Sequence, residues 1–201
     1  MLLRAEAGIV HIKGLCSNPR HSLFASRMDT PTLNPLLRYF NAPRETSTCP
    51  VIWDLRKAPK TAHHVHTIGE HCRPLSDSEL SQHATHPPVA TLRVRCGVYP
   101  SETWVSEARN RQGVTVKNVL DAIYRTLNIQ LTHAEWESLC PKQQNRVNLV
   151  FDARWRAGRD PKAERAVGIL RRDCLLQHVL FAGLSETDEE NDYMMTVGRT
   201  K

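Results

Sequence analysis

The sequence predicts an α+β fold, a small, mostly antiparallel sheet with about three helices packed on one face. Residues 89–96 alternate apolar and polar side chains, as a half-buried strand does. Residues 113–127 place apolar side chains at helical spacing instead. Shorter β-branched and apolar stretches stand before and after these two segments. Strands therefore come first, helices follow, and strands close the chain.

The first strands lie at VIWDL (51–55) and VATLRVRC (89–96). In the second of these, Leu92 and Val94 point to one face while Arg93 and Arg95 point to the other, so we expect a strand with a basic outer surface. TWVSEA (103–108) is the predicted partner strand, followed by a turn over residues 109–113.

Three helices follow. Thr115 is placed to cap a helix that continues to Leu127. Thr132 and Glu135 form a capping-box pattern that starts a short second helix. Pro141 suits the first position of a third helix, which should end near Gly158. The predicted buried stripe of that third helix consists of Val147, Val150, Phe151 and Trp155.

The remaining segments complete the predicted layer. Residues 158–165 read as a charged loop, and residues 170–184 read as a hairpin with its turn near Gln177 and His178. Residues 34–184 are expected to form one domain. Residues 1–33 are expected to be a leader, either disordered or a misassigned start, since Met28 offers a second beginning. Residues 185–201 are expected to form an acidic disordered tail.

Composition excludes several classes of protein. The 201 residues are 40% hydrophobic and 24% charged, which is typical of a globular protein that needs no disulfide or metal to fold. No apolar run is long enough to span a membrane. The six cysteines form no C-x-x-C pair, so we expect reduced thiols and an intracellular location, cytoplasmic or nuclear. The net charge of +6 could attract an acidic partner or nucleic acid, or the basic body could fold back on its own acidic tail.

The motifs of the chain resemble, in order and spacing, a domain found in mushroom-forming fungi, domain of unknown function 6699. They are NPLLRY (34–39), VIWDL (51–55), ATHPPV (84–89), GVTVKNVLDAIYRTL (113–127), LTHAEW (131–136) and RRDCLL with FAGL (171–184). The resemblance implies a single intracellular fungal domain. It implies no activity, cofactor or catalytic residue that could be carried over.

The stretch HHVHTIGEHC (63–72) forms a histidine-rich loop and raises the question of a metal site. Zinc would need four nitrogen or sulfur ligands, or three with water. The candidate ligands are His63, His66, His71 and Cys72. No paired-cysteine or H-E-x-x-H motif supports them, so a solvated loop is the favoured interpretation and no cofactor is expected.

Two further groups are candidate sites. Asp54 and Arg56 share a strand face by period two, and together with His86, which is held before two prolines, they could line a ligand pocket. The alternatives are a surface ion pair and a turn histidine. A phosphate-binding surface could be formed by Arg93, Arg95, Arg146, Arg154 and Arg156. Aromatic residues make up only 6% of the chain, which favours a solvated basic surface instead.

These observations favour a non-enzymatic protein-interaction module with a protein partner of unknown identity. A basic nucleic-acid-binding protein is one alternative. A metal-dependent or small-molecule enzyme that uses the 63–72 cluster is the other. Enzymatic function is not favoured, because the chain has no G-x-G-x-x-G, G-x-x-x-x-G-K or G-x-S-x-G motif.

Overall fold

A computed structural model describes residues 30–40, 49–65, 72–99 and 104–199. The strands within these residues are β1 (Thr32–Leu33), β2 (Val51–Asp54), β3 (His63–Val65), β4 (Cys72–Pro74), β5 (Thr85–His86), β6 (Thr91–Cys96), β7 (Ser106–Arg109), β8 (Leu180–Glu186) and β9 (Asp192–Gly198). The α-helices in the same described segments are α1 (Asp77–Ser81), α2 (Val116–Leu127), α3 (His133–Glu137), α4 (Pro141–Ala157) and α5 (Pro161–Ala166). Two 3-10 turns cover Pro59–Thr61 and Arg171–Leu175.

Seven strands form one mixed sheet in the order β4-β3-β2-β8-β9-β6-β7. Neighbouring strands are antiparallel except for β6 and β9, which run parallel. β1 and β5 form a separate two-stranded sheet. The predicted fold class is therefore wrong, because the sheet is large and mixed and five helices accompany it.

The error arose at the end of the chain. The segment read as a hairpin forms a 3-10 turn over Arg171–Leu175 and then the single strand β8. The true hairpin joins β8 to β9, and β9 inserts between β8 and β6 in the sheet. Residues 185–199 are thus not the disordered tail that was predicted. Tyr193 and Met195 of β9 are buried in the core, and this burial holds the segment in place.

The helices were predicted with more success. α2 begins after Thr115, whose hydroxyl accepts a hydrogen bond from the backbone N–H of Asn118, and its apolar stripe is fully buried. The capping box at the start of α3 is also present. α4 begins at Pro141, as predicted, but of its expected stripe only Val147 is buried, while Phe151 and Trp155 are half-buried. α5 occupies the segment that was predicted to be a charged loop.

The first described segment, residues 30–40, crosses the sheet at β8. The backbone N–H of Tyr39 donates to the carbonyl of Leu184 at 2.8 Å, and the N–H of Leu184 donates to the carbonyl of Leu37 at 2.7 Å. Gly183 permits this crossing, because its φ is +119° and a Cβ there would lie 2.7 Å from the Tyr39 backbone. The crossing fixes the chain that leads back to Thr30 and Pro31.

Two predictions concern the ends of the chain and its relation to membranes. Residues 1–29 of the predicted leader lie outside the described residues, and Thr32 and Leu33 form β1. The division into one domain with two flanking segments stays a prediction for the undescribed residues. Among the described residues, no helix is long and apolar enough to cross a membrane.

Candidate functional site

A cavity of about 790 Å³ lies beside the hairpin that joins β8 to β9, and we call it the acidic cavity. One wall is the hairpin itself, and the other comes from the segment that precedes β1 and from the residue after β5. The lining residues are Thr30, Pro31, Pro87 and residues 186–193.

The hairpin loop is held in shape by its own side chains. The Thr187 hydroxyl accepts a hydrogen bond from the backbone N–H of Glu189 at 3.3 Å and donates to the carbonyl of Asp192 at 2.9 Å. Asn191 adopts a left-handed φ of +57°, which asparagine tolerates better than most residues. Its carbonyl accepts from the backbone N–H of Arg93 at 2.9 Å, which ties the loop to β6. The loop therefore presents its side chains from a defined backbone.

Asp192 is the central residue of the acidic cavity. Its side chain is 2% exposed, and its Oδ2 accepts from Nε of Arg95 at 2.7 Å, with Nη1 of Arg93 at 4.0 Å. Within the described residues, the buried Oδ1 of Asp192 and the buried Oδ1 of the neighbouring Asn191 have no hydrogen-bond partner. A buried acceptor left without a donor costs roughly 1–3 kcal/mol, and more when it is charged. Asp192 is therefore only partly satisfied by the arginines of β6.

The charge around the acidic cavity is negative. Five carboxylates line it, and the arginines that pair with them are Arg38, Arg93 and Arg95. Asp188 and Glu190 form no ion pair within the described part of the chain. A ligand with a positive charge would therefore be attracted to the cavity as well as hydrogen-bonded in it.

The site does not have the form of a metal centre. Within residues 30–40, 49–65, 72–99 and 104–199, no three histidine, cysteine, aspartate or glutamate side chains converge closely enough to hold a metal ion. The arrangement is suited instead to an organic cation such as a guanidinium or an ammonium group, which donates hydrogen bonds along several directions.

The predicted ligand pocket is not assembled in either described cavity. Asp54 and Arg56 form an ion pair with each other, with Nη2 of Arg56 at 2.8 Å from Oδ2 of Asp54. Burial raises the pKa of Asp54, but hydrogen bonds from Arg56 outweigh it and hold the pKa below its usual value. His86 lies on β5 with an exposed side chain, and its neighbour Pro87, not His86 itself, lines the acidic cavity.

The arginines predicted to bind nucleic acid lie in two different environments. Arg93 and Arg95 lie beside the loop that joins β8 to β9, where their guanidinium groups are next to Asp192 and, for Arg95, Glu189. Arg154 is largely buried, where it bonds both oxygens of Asp173. Arg146 and Arg156 are exposed on α4, where Arg156 pairs with Asp152 and its guanidinium lies 5.0 Å from the centroid of the Trp155 ring. Of the five arginines, Arg146 and Arg156 are the most exposed, and Arg93 remains partly exposed.

Of the predicted metal ligands, His66 and His71 lie outside the described residues. Cys72 is exposed at the start of β4, and the imidazole Nδ1 of His63 lies 2.8 Å from the carbonyl of Thr61. The neighbouring His64 bonds Glu79 at 2.6 Å. Zinc binding by this stretch stays a prediction.

Sequence reasoning missed the acidic cavity itself. The run of acids between residues 186 and 192 was interpreted as a tail, so no site was expected there. A signal was present in YMMTV (193–197), where Tyr193, Met195 and Val197 recur with the period of a strand directly after the acids. Acids between two strand-like segments indicate a hairpin loop, not a tail.

Comparison with known proteins identifies one family. The model for a family described as "Family of unknown function (DUF6699)" matches residues 51–192, which include β2 to β8 and the whole acidic loop. No curated protein and no solved structure matches the chain.

Proposed function

This chain belongs to the DUF6699 family, and from that premise we propose that it is a non-enzymatic protein-interaction module whose acidic cavity binds a basic segment of a partner protein. The observation that carries this proposal is the negative charge of the cavity, which five carboxylates line and in which Asp188 and Glu190 form no ion pair within the described residues. An arginine or lysine side chain would balance this charge and would donate charge-assisted hydrogen bonds to the carboxylates.

The remaining lining supports a side chain of this type. Pro31, Pro87 and Tyr193 contribute apolar surface next to the carboxylates. Arginine and lysine carry a hydrocarbon stem below the charged group, and such stems pack along apolar surface while the charge reaches a polar partner. A volume of about 790 Å³ lies within the range of ligand-binding cavities, so more than one side chain of a bound segment could enter.

The buried cysteines support a binding role rather than covalent catalysis. Burial raises the pKa of Cys49 and of Cys174 to about 12, so both remain protonated thiols at neutral pH. A thiol in that state is a poor nucleophile. We also propose, from the family resemblance, that the protein is fungal and works in an intracellular, reducing compartment.

The test is a titration of the full chain with a labelled peptide of alternating arginine and glycine, followed by fluorescence anisotropy. The variant Asp188→Lys/Glu190→Lys reverses two carboxylates that form no ion pair within the described residues. We expect it to weaken binding at least tenfold, which corresponds to about 1.4 kcal/mol. Affinity should also fall as salt is raised, because screening removes the attraction.

The matched control is Asp77→Lys/Glu137→Lys, which makes the same change in net charge at two exposed carboxylates outside the cavity lining and should leave the affinity unchanged. Equal affinities for the cavity variant and the wild-type chain would contradict the proposal. A second result would also contradict it: the chain does not bind the basic peptide but does bind an RNA or DNA probe, and the variant Arg146→Glu/Arg156→Glu no longer binds that probe. This result would favour a nucleic-acid-binding function.

A further inference from the structure

The helix α4 carries an exposed stripe on the side opposite its anchoring residues. The members of the stripe recur at intervals of four and three residues, so they lie on one face of the helix. We call it the outer stripe, and it consists of Lys142, Arg146, Leu149, Ala153 and Arg156, all of them exposed. The anchoring face holds Val147, which is buried, and Arg154, which bonds Asp173. The outer stripe is therefore open within the described part of the chain.

The outer stripe combines positive charge with an apolar centre. It has three cations and no acid, and Lys142 and Arg146 form no ion pair within the described residues. Leu149 lies at the centre and is 63% exposed, more than any other large apolar side chain that the structure describes. Cations around a leucine suit a partner surface that is acidic and partly apolar.

We propose that the outer stripe of one chain docks in the acidic cavity of a second copy, where Arg146 meets the carboxylates of Asp188 and Glu190. Leu149 packs against the apolar part of the same cavity. The proposal rests on the proposed function, because it names the basic segment that enters the cavity. It commits to a second copy, since the chain itself carries two surfaces of opposite charge.

The acidic cavity has both properties that the outer stripe requires. Its five carboxylates complement the cations, and its apolar surface comes from Pro31, Pro87 and Tyr193. Side chains one turn apart on a helix lie about 5–6 Å from each other, so Arg146 and Leu149 can enter a cavity of about 790 Å³ together.

The contact requires two chains in this structure. No residue of the outer stripe lines the acidic cavity of its own chain. Each chain therefore presents a basic surface and a separate acidic one. Two copies can form the contact twice in a closed pair, or further copies can add head to tail.

The experiment is sedimentation velocity of the full chain at low salt over a range of protein concentrations. The wild-type chain should associate as its concentration rises. The stripe variant Lys142→Glu/Arg146→Glu and the cavity variant Asp188→Lys/Glu190→Lys should each weaken this association at least tenfold. The matched control for the stripe variant is Arg111→Glu/Arg125→Glu, which makes the same change in net charge at exposed positions outside both surfaces and should associate like the wild type.

An equal mixture of the stripe variant and the cavity variant should associate again. The stripe variant keeps the acidic cavity and the cavity variant keeps the basic stripe, so one contact of the wild-type kind can form between them. Both variants keep a net positive charge, because the chain carries +6 and the stripe variant lowers this by four. General attraction between opposite net charges therefore cannot restore the association, and its recovery also shows that both variants are folded.

A third variant, Leu149→Ala, tests the apolar part of the contact without a change in charge. It should weaken the association several-fold, because it removes an exposed side chain that the second copy covers. Association equal to that of the wild type would overturn the assignment of this helix face.

Other outcomes separate this proposal from the proposed function. A wild-type chain that stays monomeric but binds the arginine-glycine peptide would overturn the second copy as partner and leave the proposed function intact. Association that persists in both charge variants, or a mixture that stays monomeric, would also overturn it. So would an outer stripe that binds an RNA or DNA probe while the chain remains a monomer. The peptide titration decides the proposed function separately.

Discussion

Two buried aspartates, each bonded to an arginine, behave differently in this molecule. Asp173 is 1% exposed, and both of its oxygens are satisfied: Arg154 donates to Oδ1 at 2.9 Å and to Oδ2 at 3.0 Å, and the backbone N–H of Leu170 donates to Oδ2 at 2.9 Å. Asp192 is 3% exposed, yet within the described residues only its Oδ2 is bonded. Asp173 is fully paired, whereas Asp192 is partly paired and belongs to the wall of the acidic cavity.

The difference separates a fully paired carboxylate from one that its own chain pairs only in part. A buried ion pair offsets its desolvation only when the remaining hydrogen-bonding positions are filled. Around Asp173, Arg154 also bonds Glu164 and the carbonyl of Gly168, so the whole group is complete. At Asp192, Oδ1 has no partner within the described residues, and the residue belongs to the lining of the acidic cavity. We therefore expect the two residues to differ in what is lost on substitution.

The largest effect is expected for Asp173→Asn. The substitution removes the buried counter-charge that takes two hydrogen bonds from Arg154 and leaves only the more exposed Glu164 paired with it, which should lower the free energy of unfolding by about 1–3 kcal/mol. Chemical denaturation monitored by tryptophan fluorescence measures the loss. The double variant Asp173→Asn/Arg154→Met should recover part of it, because the guanidinium that has lost this partner is also removed. A loss below about 1 kcal/mol would show that the pair of Asp173 with Arg154 is not structural.

A second buried cluster is formed around Glu135, which accepts from Arg171, from the Trp104 indole N–H and from its own cap residue Thr132. Burial raises the pKa of Glu135, but these hydrogen bonds outweigh it and hold the pKa below its usual value. The ionised form is therefore favoured by folding, and its contribution is present above the ordinary pKa of about 4.3 and is lost as the pH falls through the folded value.

We accordingly expect Glu135→Gln to cost about 1–2 kcal/mol at neutral pH, from the lost charge-assisted hydrogen bonds. The difference from the wild-type chain should shrink as the pH falls below about 4. Urea denaturation at a series of pH values measures it. A difference that stays constant into acid would mean that the charge of Glu135 contributes nothing to stability.

Asp192→Asn tests the partly paired aspartate of the cavity wall directly. It keeps the shape of the side chain and an oxygen for Arg95, so we expect the free energy of unfolding to change by about 1 kcal/mol or less. Binding of the arginine-glycine peptide should weaken at least tenfold. If the substitution destabilises the chain as much as Asp173→Asn does, then Asp192 is structural and the contrast between the two aspartates is lost.

The smallest effect is expected for Arg38→Met. Its ion pair with Glu186 is long, at 3.4 Å, and both side chains are well exposed. Exposed pairs contribute roughly 0–1 kcal/mol, so stability should change by less than about 0.5 kcal/mol. Peptide affinity should rise slightly, because Glu186 is freed at the cavity rim. Differential scanning calorimetry and the same anisotropy titration check both results.

Local signals made the helices predictable. Each helix start carries a residue that deals with a backbone N–H left without a partner in the first turn. Side chains accept from such groups at Thr115 and in the Thr132–Glu135 capping box, and Pro141 has no N–H to satisfy. These signals lie within a few residues of the helix start and can therefore be read from the sequence. The pairing of β6 with β7 was likewise expected from the neighbouring strand patterns. The burial of α4 was overestimated, because its apolar stripe lies against only a small part of the body, next to α5 and the 3-10 turn.

The sheet order and the site depend on contacts between distant residues, which one sequence does not encode locally. Nothing near Asp192 shows that Arg93 and Arg95 will lie beside it, about a hundred positions earlier in the chain. The one relevant expectation was that the basic body could fold back on its acidic end, and Arg95 does bond Glu189 and Asp192. The acidic cavity depends on that contact. The alternation of buried and exposed residues in 193–197, directly after the acids, was the sequence signal that predicts it.

The crossing at Gly183 links the cavity to a remote position. The backbone of Tyr39 occupies the space that any side chain at residue 183 would need, and the same segment leads back to Thr30 and Pro31. A larger residue at 183 would displace this segment and remove one wall of the cavity, even though no atom of Gly183 lines it. A substitution at Gly183, within the sheet, would therefore weaken partner binding. An inherited or engineered change at this position would have the same effect on binding as the loss of a residue that contacts the partner.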